Sequence, residues 1–252
     1  MAKDDWAQCR GTVIKATLLL IVFALIFTFL TQYLSGYNQI VEKMYPITED
    51  LLTNPLLLYE PTPEFEEKVT EAVNFVPRVK PAAYVLVVVI TILQAMLNAG
   101  YEGFCLNVAK HKEQKARDIM CSFEYFGKTL TIIILRSVLT AIGFLLFVFP
   151  GIVVHYALSQ SFMIMFDHPE YSAFRCLRES MRIMRGNKMK LFKLQFSFFG
   201  WLLLSDLIII FRLYTLPYFG ITQANFYNYI IFTNTLDSMK KPTNETRSAD
   251  NE

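Results

Sequence analysis

Two long apolar stretches constrain this chain more than any other feature of its sequence. Ala82 to Tyr101 contains no charged side chain, and Val13 to Leu34 contains only Lys15. A helix of about 20 residues covers roughly 30 Å, the thickness of the hydrocarbon core of a bilayer. The chain is 54% hydrophobic and only 18% charged, which is too apolar for an ordinary soluble domain. We therefore predict an all-α, polytopic helical membrane protein; a soluble helical bundle is the alternative.

About six transmembrane helices are predicted from the apolar segments and from the Pro, Gly and charged residues that separate them. The segments are Val13–Leu34, Ala82–Tyr101 with a helical extension to Ala109, Thr129–Phe149, a shorter one that ends at Phe166, Leu191–Leu213, and one from Pro217 to Phe232. Pro150-Gly151 predicts the turn of a hairpin between the third and fourth segments. The last segment either spans or lies partly at the interface. A cleaved signal peptide is the alternative for the first segment, although Asp4 and Asp5 disfavour it.

The connectors alternate in charge, and this alternation predicts the orientation. Residues 110–128 and 175–193 are rich in Lys and Arg, whereas residues 36–80 are acidic. Because cytoplasmic loops carry the excess of Lys and Arg, we expect a multi-pass plasma-membrane protein with both termini in the cytoplasm. The predicted organisation is one membrane domain (1–236) with an acidic extracytoplasmic loop (36–81), followed by a polar cytoplasmic tail (237–252). Pro63 and the acidic residues after it predict a short helix over 64–76 in that loop.

An amphipathic helix is predicted on the cytoplasmic side, from Pro169 to Arg185. Its apolar stripe is Phe174, Leu177, Met181 and Met184, and its basic stripe is Arg175, Arg178, Arg182 and Arg185. Both stripes follow the helical spacing of three and four residues. The helix lies in the headgroup region with its arginines near the phosphates, or else it packs in the cytosol against the ends of the spanning helices.

Four ionisable residues lie inside the predicted spans, where an unpaired charge is costly. They are Glu102, Arg136, His155 and Asp206. Glu102 and Arg136 are equally far from the predicted cytoplasmic ends of consecutive helices, so we expect an ion pair between them. The alternative is that Arg136 extends to the headgroups while Glu102 stays protonated. His155 and Asp206 lie at similar depth near the outer ends of their helices, which predicts a second contact.

The second half of the chain carries an ordered set of short motifs. They are Phe149-Pro150-Gly151-Ile152, Asp167-x-Pro169, Ser180, Met184-x-Gly186-Asn187-Lys188, Phe192, Ser197-Phe198-x-Gly200-Trp201, Pro217-Tyr218 and Ala224-x-Phe226-Tyr227. In order and spacing this set resembles a bacterial integral membrane protein family of unknown function, number nine-seven-five of the domain-of-unknown-function series. The resemblance implies several spanning helices and a Gram-positive plasma membrane, and it brings no established activity or functional residues to transfer. Leu158-Ser159-Gln160 departs from the Tyr-Ser-Met of that pattern. Read physically, Gly200 beside Trp201 predicts a close helix approach, with Trp201 packed inside.

No constellation of nucleophile, base or metal ligands is recognisable, so we expect a protein that is not an enzyme and needs no cofactor. Cys9, Cys105, Cys121 and Cys176 lack metal-binding spacing and are expected to be free thiols. The basic clusters are juxtamembrane, which favours membrane lipids and another membrane protein as partners, and no nucleic acid. A non-catalytic accessory protein is the leading interpretation. A small transporter or permease component is the alternative, and an intramembrane enzyme is the least favoured.

Overall fold

A computed structural model of the chain describes residues 2–77 and 79–240, and throughout that part the regular elements are helices. Short 3-10 segments lie at Pro55–Leu58 and Ala116–Met120. The α-helices are α1 Ala2–Leu34, α2 Tyr37–Thr53, α3 Pro63–Asn74, α4 Pro81–Ala109, α5 Cys121–Glu124, α6 Phe126–Leu146, α7 Val148–Ala157, α8 Ser161–Asp167, α9 Ala173–Ile183, α10 Lys188–Ser197, α11 Phe199–Leu207 and α12 Ile209–Lys240. The all-α prediction is confirmed.

Four helical stretches in the described part are long and apolar enough to cross a membrane. They are Arg10–Leu34, Pro81–Ala109, Phe126–Leu146 and Val148–Asp167. These stretches correspond to the first four predicted spans. The fourth contains a break, because residues 158–160 form a turn between α7 and α8.

The described residues divide into two compact units, one within residues 22–94 and one within residues 1–21 and 95–252. In the first unit α2 packs against α3. Thr62 caps α3 by accepting a hydrogen bond from the Phe65 amide, and Pro63 occupies the first turn. Both choices are favourable at a helix start, and they confirm the helix predicted after Pro63. Lys43 pairs with Glu71 at 2.6 Å and Lys68 with Asp50 at 2.9 Å.

The second unit has its core where the second half of α4 meets α6, α8, α9 and α12. Phe104, Ile132, Met165, Met184 and Tyr227 are among its largest fully buried side chains. The part of α1 in this unit contributes Val13, Ala16 and Thr17, all without exposed surface. In contrast, the second half of α6 exposes large apolar side chains, including Ile142, Leu145 and Leu146, as expected for a surface that faces lipid.

The helical hairpin of α6 and α7 is present, but its turn is not where the sequence predicts it. The chain reverses at Phe147, whose backbone is extended, and Pro150-Gly151 lies inside the first turn of α7. Pro is favourable there because the first amides of a helix have no intrahelical acceptor. Gly151 serves a different purpose, since a Cβ on Gly143 would lie 2.9 Å from the Gly151 Cα. The two glycines let the backbones of α6 and α7 touch.

The predicted fifth span is wrong as a single helix. Residues 191–213 are divided among α10, α11 and the start of α12, with breaks at Phe198 and Ile208. The predicted turn at 215–217 is also wrong, because α12 continues through Pro217. The residues at both breaks are apolar, so the hydropathy of the sequence does not reveal either break. Gly200 does not mediate a close approach, since a Cβ there would meet nothing within 4 Å, and Trp201 is 54% exposed rather than packed inside.

Candidate functional site

Three of the predicted intramembrane residues line one cavity, called here the Glu102 cavity. It has a volume of about 520 Å³ and lies among α4, α6, α7 and α8. Its polar lining consists of Asn98, Glu102, Arg136, Ser137, Thr140 and His155. These residues are far apart in the sequence, and helix packing brings them together. Ionisable and polar side chains that line a cavity between spanning helices are candidates for a functional site.

Two buried polar atoms in this lining have no partner. Glu102 Oε2 and Thr140 Oγ1 make no hydrogen bond with any described residue. Glu102 and Asn98 also line a second cavity of about 170 Å³ on the side of Tyr101 and Gln223. Leaving a buried polar group unsatisfied costs about 1 to 3 kcal/mol, and more for a charged one. The Glu102 carboxyl group therefore lies beside two cavities with one of its oxygens unsatisfied by the described residues.

The predicted ion pair between Glu102 and Arg136 is wrong in its direct form. No ion pair within 4.0 Å joins the two side chains in the described part of the chain, although they line the same cavity. The Arg136 guanidinium instead lies over the ring of Phe162, 5.6 Å from its centroid. Such a cation–π contact stabilises a partly desolvated guanidinium without a carboxylate. The Glu102 carboxyl group and the Arg136 guanidinium therefore face one space without a direct contact.

His155 lines the Glu102 cavity as well, and its ring meets Tyr156 edge-on at 5.7 Å. The side chain of Asp206 lies outside the described residues. The predicted contact between His155 and Asp206 therefore stays a prediction.

A second polar group, the Asp167 network, lies at the end of the bundle where α4 and α8 finish. Asp167 accepts hydrogen bonds from Lys110 Nζ and from the Tyr227 hydroxyl, the latter at 3.0 Å. Lys128 donates to the Pro169 carbonyl close by. The network joins α8 to α12 and to the residue that follows α4. The sequence analysis assigned no role to Asp167 and did not predict these contacts, although Asp167, Pro169 and Tyr227 all belong to the motifs quoted there.

Ser180 attaches α9 to the break between α7 and α8. Its hydroxyl donates to the Ala157 carbonyl at 2.8 Å and accepts from the Gln160 amide at 3.2 Å. A helix break leaves backbone groups without their usual partners, and burial makes such groups costly. Ser180, which is fully buried, satisfies two of them with one side chain. This explains why a small hydroxyl residue is present at this motif position.

The exposed side of α9 differs from the predicted stripes. Leu177 and Met184 are buried in the protein, whereas Phe174 and Met181 are exposed beside the four arginines Arg175, Arg178, Arg182 and Arg185. Packing against α6, α7, α8 and α12 takes the side of the helix that carries Cys176, Leu177 and Ser180. The predicted apolar stripe is therefore split between the protein core and the surface.

Two of the four arginines have partners on the surface. Arg175 lies 3.8 Å from the centroid of the Tyr171 ring, and Arg182 pairs with Glu179. Hydrogen bonding to Glu179 raises the pKa of Arg182. Arg178 and Arg185 are exposed, and their side chains are the best placed of the four to meet an external partner.

The thiols fit the prediction where the structure describes them. Cys105, Cys121 and Cys176 are free, and the Cys9 side chain lies outside the described residues. Burial, assisted by the carboxylates of Glu124 and Asp118, raises the pKa of Cys121 to about 11. Burial also raises the pKa of Cys176. Since the thiolate is the reactive form, both thiols react slowly at neutral pH. No described group of three or more His, Cys, Asp or Glu side chains could hold a metal ion.

Comparison with known proteins confirms the resemblance in the C-terminal half. Residues 137–234 match the model of a family described as "Protein of unknown function (DUF975)". This range includes Ser180 and, of the Asp167 network, Asp167, Pro169 and Tyr227, whereas Lys110 and Lys128 precede it. Neither the curated proteins nor the solved structures contain a significant match.

Proposed function

We propose that this chain is a non-catalytic, multi-pass protein of the plasma membrane that acts as an accessory module and holds anionic lipid with α9. The family match and the four apolar helices agree with a membrane protein. The observation that carries the lipid proposal is the exposed side of α9, where Phe174 and Met181 stand among four arginines. Arginine binds phosphate through several donors, and apolar side chains between them enter the acyl boundary.

The position of α9 supports this proposal. Ser180 connects α9 to the α7–α8 break, and Lys128 contacts Pro169 just before α9. Basic residues of the 110–128 connector therefore lie close to the start of α9, at one end of the larger unit. By the positive-inside rule that end is cytoplasmic, where anionic headgroups attract Lys and Arg. This arrangement combines the two alternatives for the helix, because one side packs on the bundle and the other is left for lipid.

The absence of catalysis is part of the proposal. The serine hydroxyl groups nearest in sequence to His155 are those of Ser159 and Ser161. They donate to the backbone carbonyls of Tyr156 and Leu158, at 2.9 and 2.8 Å. A nucleophilic serine needs a base within hydrogen-bond distance, and these hydroxyls are used for helix ends instead. We therefore propose binding as the activity class, either of lipid or of a membrane partner.

We predict that the double variant with Arg178→Gln and Arg185→Gln weakens the contact between α9 and anionic lipid. Met181→Cys, labelled with a polarity-sensitive dye in nanodiscs, should report a less polar surrounding when the disc contains phosphatidylglycerol than when it contains only phosphatidylcholine. The double Arg variant should lose this difference, since each basic residue near an anionic surface contributes about 1 kcal/mol. Lys43→Gln with Lys68→Gln makes the same charge change in the other unit and should preserve the difference. If the dye on the protein with the four native arginines gives the same signal in both kinds of disc, the proposal is contradicted.

The orientation predicts unequal labelling of two exposed positions. Glu60→Cys should react in intact cells with an impermeant maleimide, and Lys112→Cys only after the cells are opened. The low reactivity of Cys121 and Cys176 keeps the background small at neutral pH. The thiolate fraction of these two cysteines increases about tenfold for each unit by which the pH rises towards the thiol pKa. Labelling is therefore done at neutral rather than high pH. Equal labelling of both variants in intact cells would show the orientation to be wrong.

A small transporter or permease component is the second candidate. The Glu102 cavity favours it, because ionisable residues that line a cavity within spanning helices mark substrate and ion pathways.

A further inference from the structure

We propose that the Glu102 cavity binds a small zwitterion, with its ammonium group at Glu102 and its anionic group at Arg136. Two sources share this chemistry: a free α-amino acid and the phosphoethanolamine headgroup of a lipid. The proposal goes beyond the lipid contact of α9 and does not depend on it.

The charges that face the cavity exclude simpler ligands. A metal ion or a simple amine at Glu102 would share the low-dielectric space with the Arg136 guanidinium, which lines the same cavity. A simple anion at Arg136 would meet the Glu102 carboxylate in the same way. Repulsion between like charges is strong in such surroundings. A ligand that carries both charges satisfies both side chains and brings no net charge into the membrane.

The hydrogen-bonding groups of the cavity match an ammonium group on the Glu102 side. Glu102 Oε2 and Thr140 Oγ1 are buried acceptors without a partner among the described residues. An ammonium group has three donors, so it can bond to Glu102 and still donate to other acceptors in the lining. Asn98, which also lines the cavity, adds an amide oxygen as a third acceptor. Since buried polar groups usually have a partner, a ligand in this cavity would supply the partners that these two atoms lack.

The Arg136 side is held in place for the anionic group. Phe162 lies beneath the guanidinium at 5.6 Å and is itself buried, so the flat cation is oriented before a ligand arrives. Ser137 and His155 supply further donors in the lining. An oriented guanidinium binds a carboxylate or a phosphate through two parallel hydrogen bonds.

The size and the apolar lining fit a ligand with a hydrocarbon part. A volume of about 520 Å³ lies within the range of roughly 300 to 1,000 Å³ that small-molecule sites occupy. Ile133 and Phe144 are part of the apolar lining, together with three alanines, and they can cover an amino-acid side chain or the glycerol end of a lipid.

The test uses the full-length protein in a maltoside detergent, whose head group carries no charge. Thermal unfolding is measured with a panel of α-amino acids and with a short-chain phosphatidylethanolamine. Matched ligands with one charge are the corresponding amines, the corresponding carboxylates and a short-chain phosphatidylglycerol. We expect at least one zwitterion to raise the unfolding temperature at concentrations where its singly charged analogues do not. An effect of the amino acids identifies a solute site, and an effect of phosphatidylethanolamine identifies a headgroup site.

Glu102→Gln and Arg136→Gln should each weaken binding of that zwitterion at least about tenfold, because each removes a charge-assisted contact. Arg178→Gln with Arg185→Gln should leave the affinity unchanged, so failure of the α9 proposal would not affect this result. The proposal is overturned if no zwitterion stabilises the wild-type protein, if an amine or an acid alone binds as tightly, or if both cavity variants keep full affinity. The comparison of ligands on the wild-type protein decides the matter even if a variant does not fold.

Discussion

Gly100→Ala is expected to destabilise the protein severely. A Cβ on Gly100 would overlap the Ile119 carbonyl oxygen and would lie 2.8 Å from Ser122 Oγ. The first of these atoms is backbone and belongs to a residue that is fully buried. The segment Ala116–Met120 therefore cannot turn away as a flexible side chain would. We expect a loss of about 3 kcal/mol, at the upper end of the range for overpacking.

Gly200→Ala is the matched control for this prediction. Gly200 also lies in a helix, but a Cβ there would meet nothing within 4 Å. Alanine should be neutral at this position or stabilising by up to about 1 kcal/mol, because it is the better helix former. The measurement is the midpoint of unfolding in a titration with denaturing detergent. Equal midpoints for the two variants would mean that α4 does not approach residue 119 this closely.

Asp167→Ala is expected to have the second largest effect. The change leaves the Lys110 ammonium and the Tyr227 hydroxyl without their acceptor, and both groups are largely buried. Hydrogen bonds to a charged group contribute about 1.5 to 3 kcal/mol each when buried. Since Asp167 is 20% exposed and Lys110 26%, we expect a total loss of about 2 to 3 kcal/mol. Tyr227→Phe removes one of the two hydrogen bonds and should cost less than half of that.

The control for Asp167 is Glu71→Ala, which breaks an ion pair of the same kind on an open surface. Lys43 and Glu71 are 40% and 63% exposed, so water and salt screen their attraction and little stability should be lost. Raising the salt concentration should reduce any effect of Glu71→Ala and leave that of Asp167→Ala nearly intact. A similar small loss for both variants would show that the Asp167 network does not hold the helices together.

Helices with strong end signals could be predicted from the sequence. α4 was expected to continue to Ala109 and does so, because its apolar run ends at a cluster of charged residues. α3 was expected after Pro63, where an acidic first turn and a capping Thr62 agree. In both cases the determinants are local. Interactions between neighbouring residues of one helix were sufficient to define it.

Features that depend on distant residues could not be predicted in the same way. Pro150-Gly151 was expected to form the turn, and this was wrong. The close approach of Gly151 to Gly143 exists only after α6 and α7 have packed, so the sequence gives no sign of it. The direct ion pair of Glu102 was expected from depth alone, but Phe162, which holds Arg136, is contributed by a third helix. Ser180 likewise has no local partner that would reveal its contacts with Ala157 and Gln160. Such residues become recognisable only through tertiary structure.

The larger unit is built from two separate segments of the chain, so its parts are synthesised at different times. The Thr17 hydroxyl, already bonded to the Val13 carbonyl, receives a hydrogen bond from Tyr101, 84 residues later in the chain. At a synthesis rate of about 5 to 20 residues per second, the first helix waits roughly 4 to 17 s for that partner. During this interval its own backbone keeps the hydroxyl satisfied, so the helix can remain in lipid without harm. Insertion of α1 and its packing are thus separate events in time, and synthesis of residues 22–94 sets the delay between them.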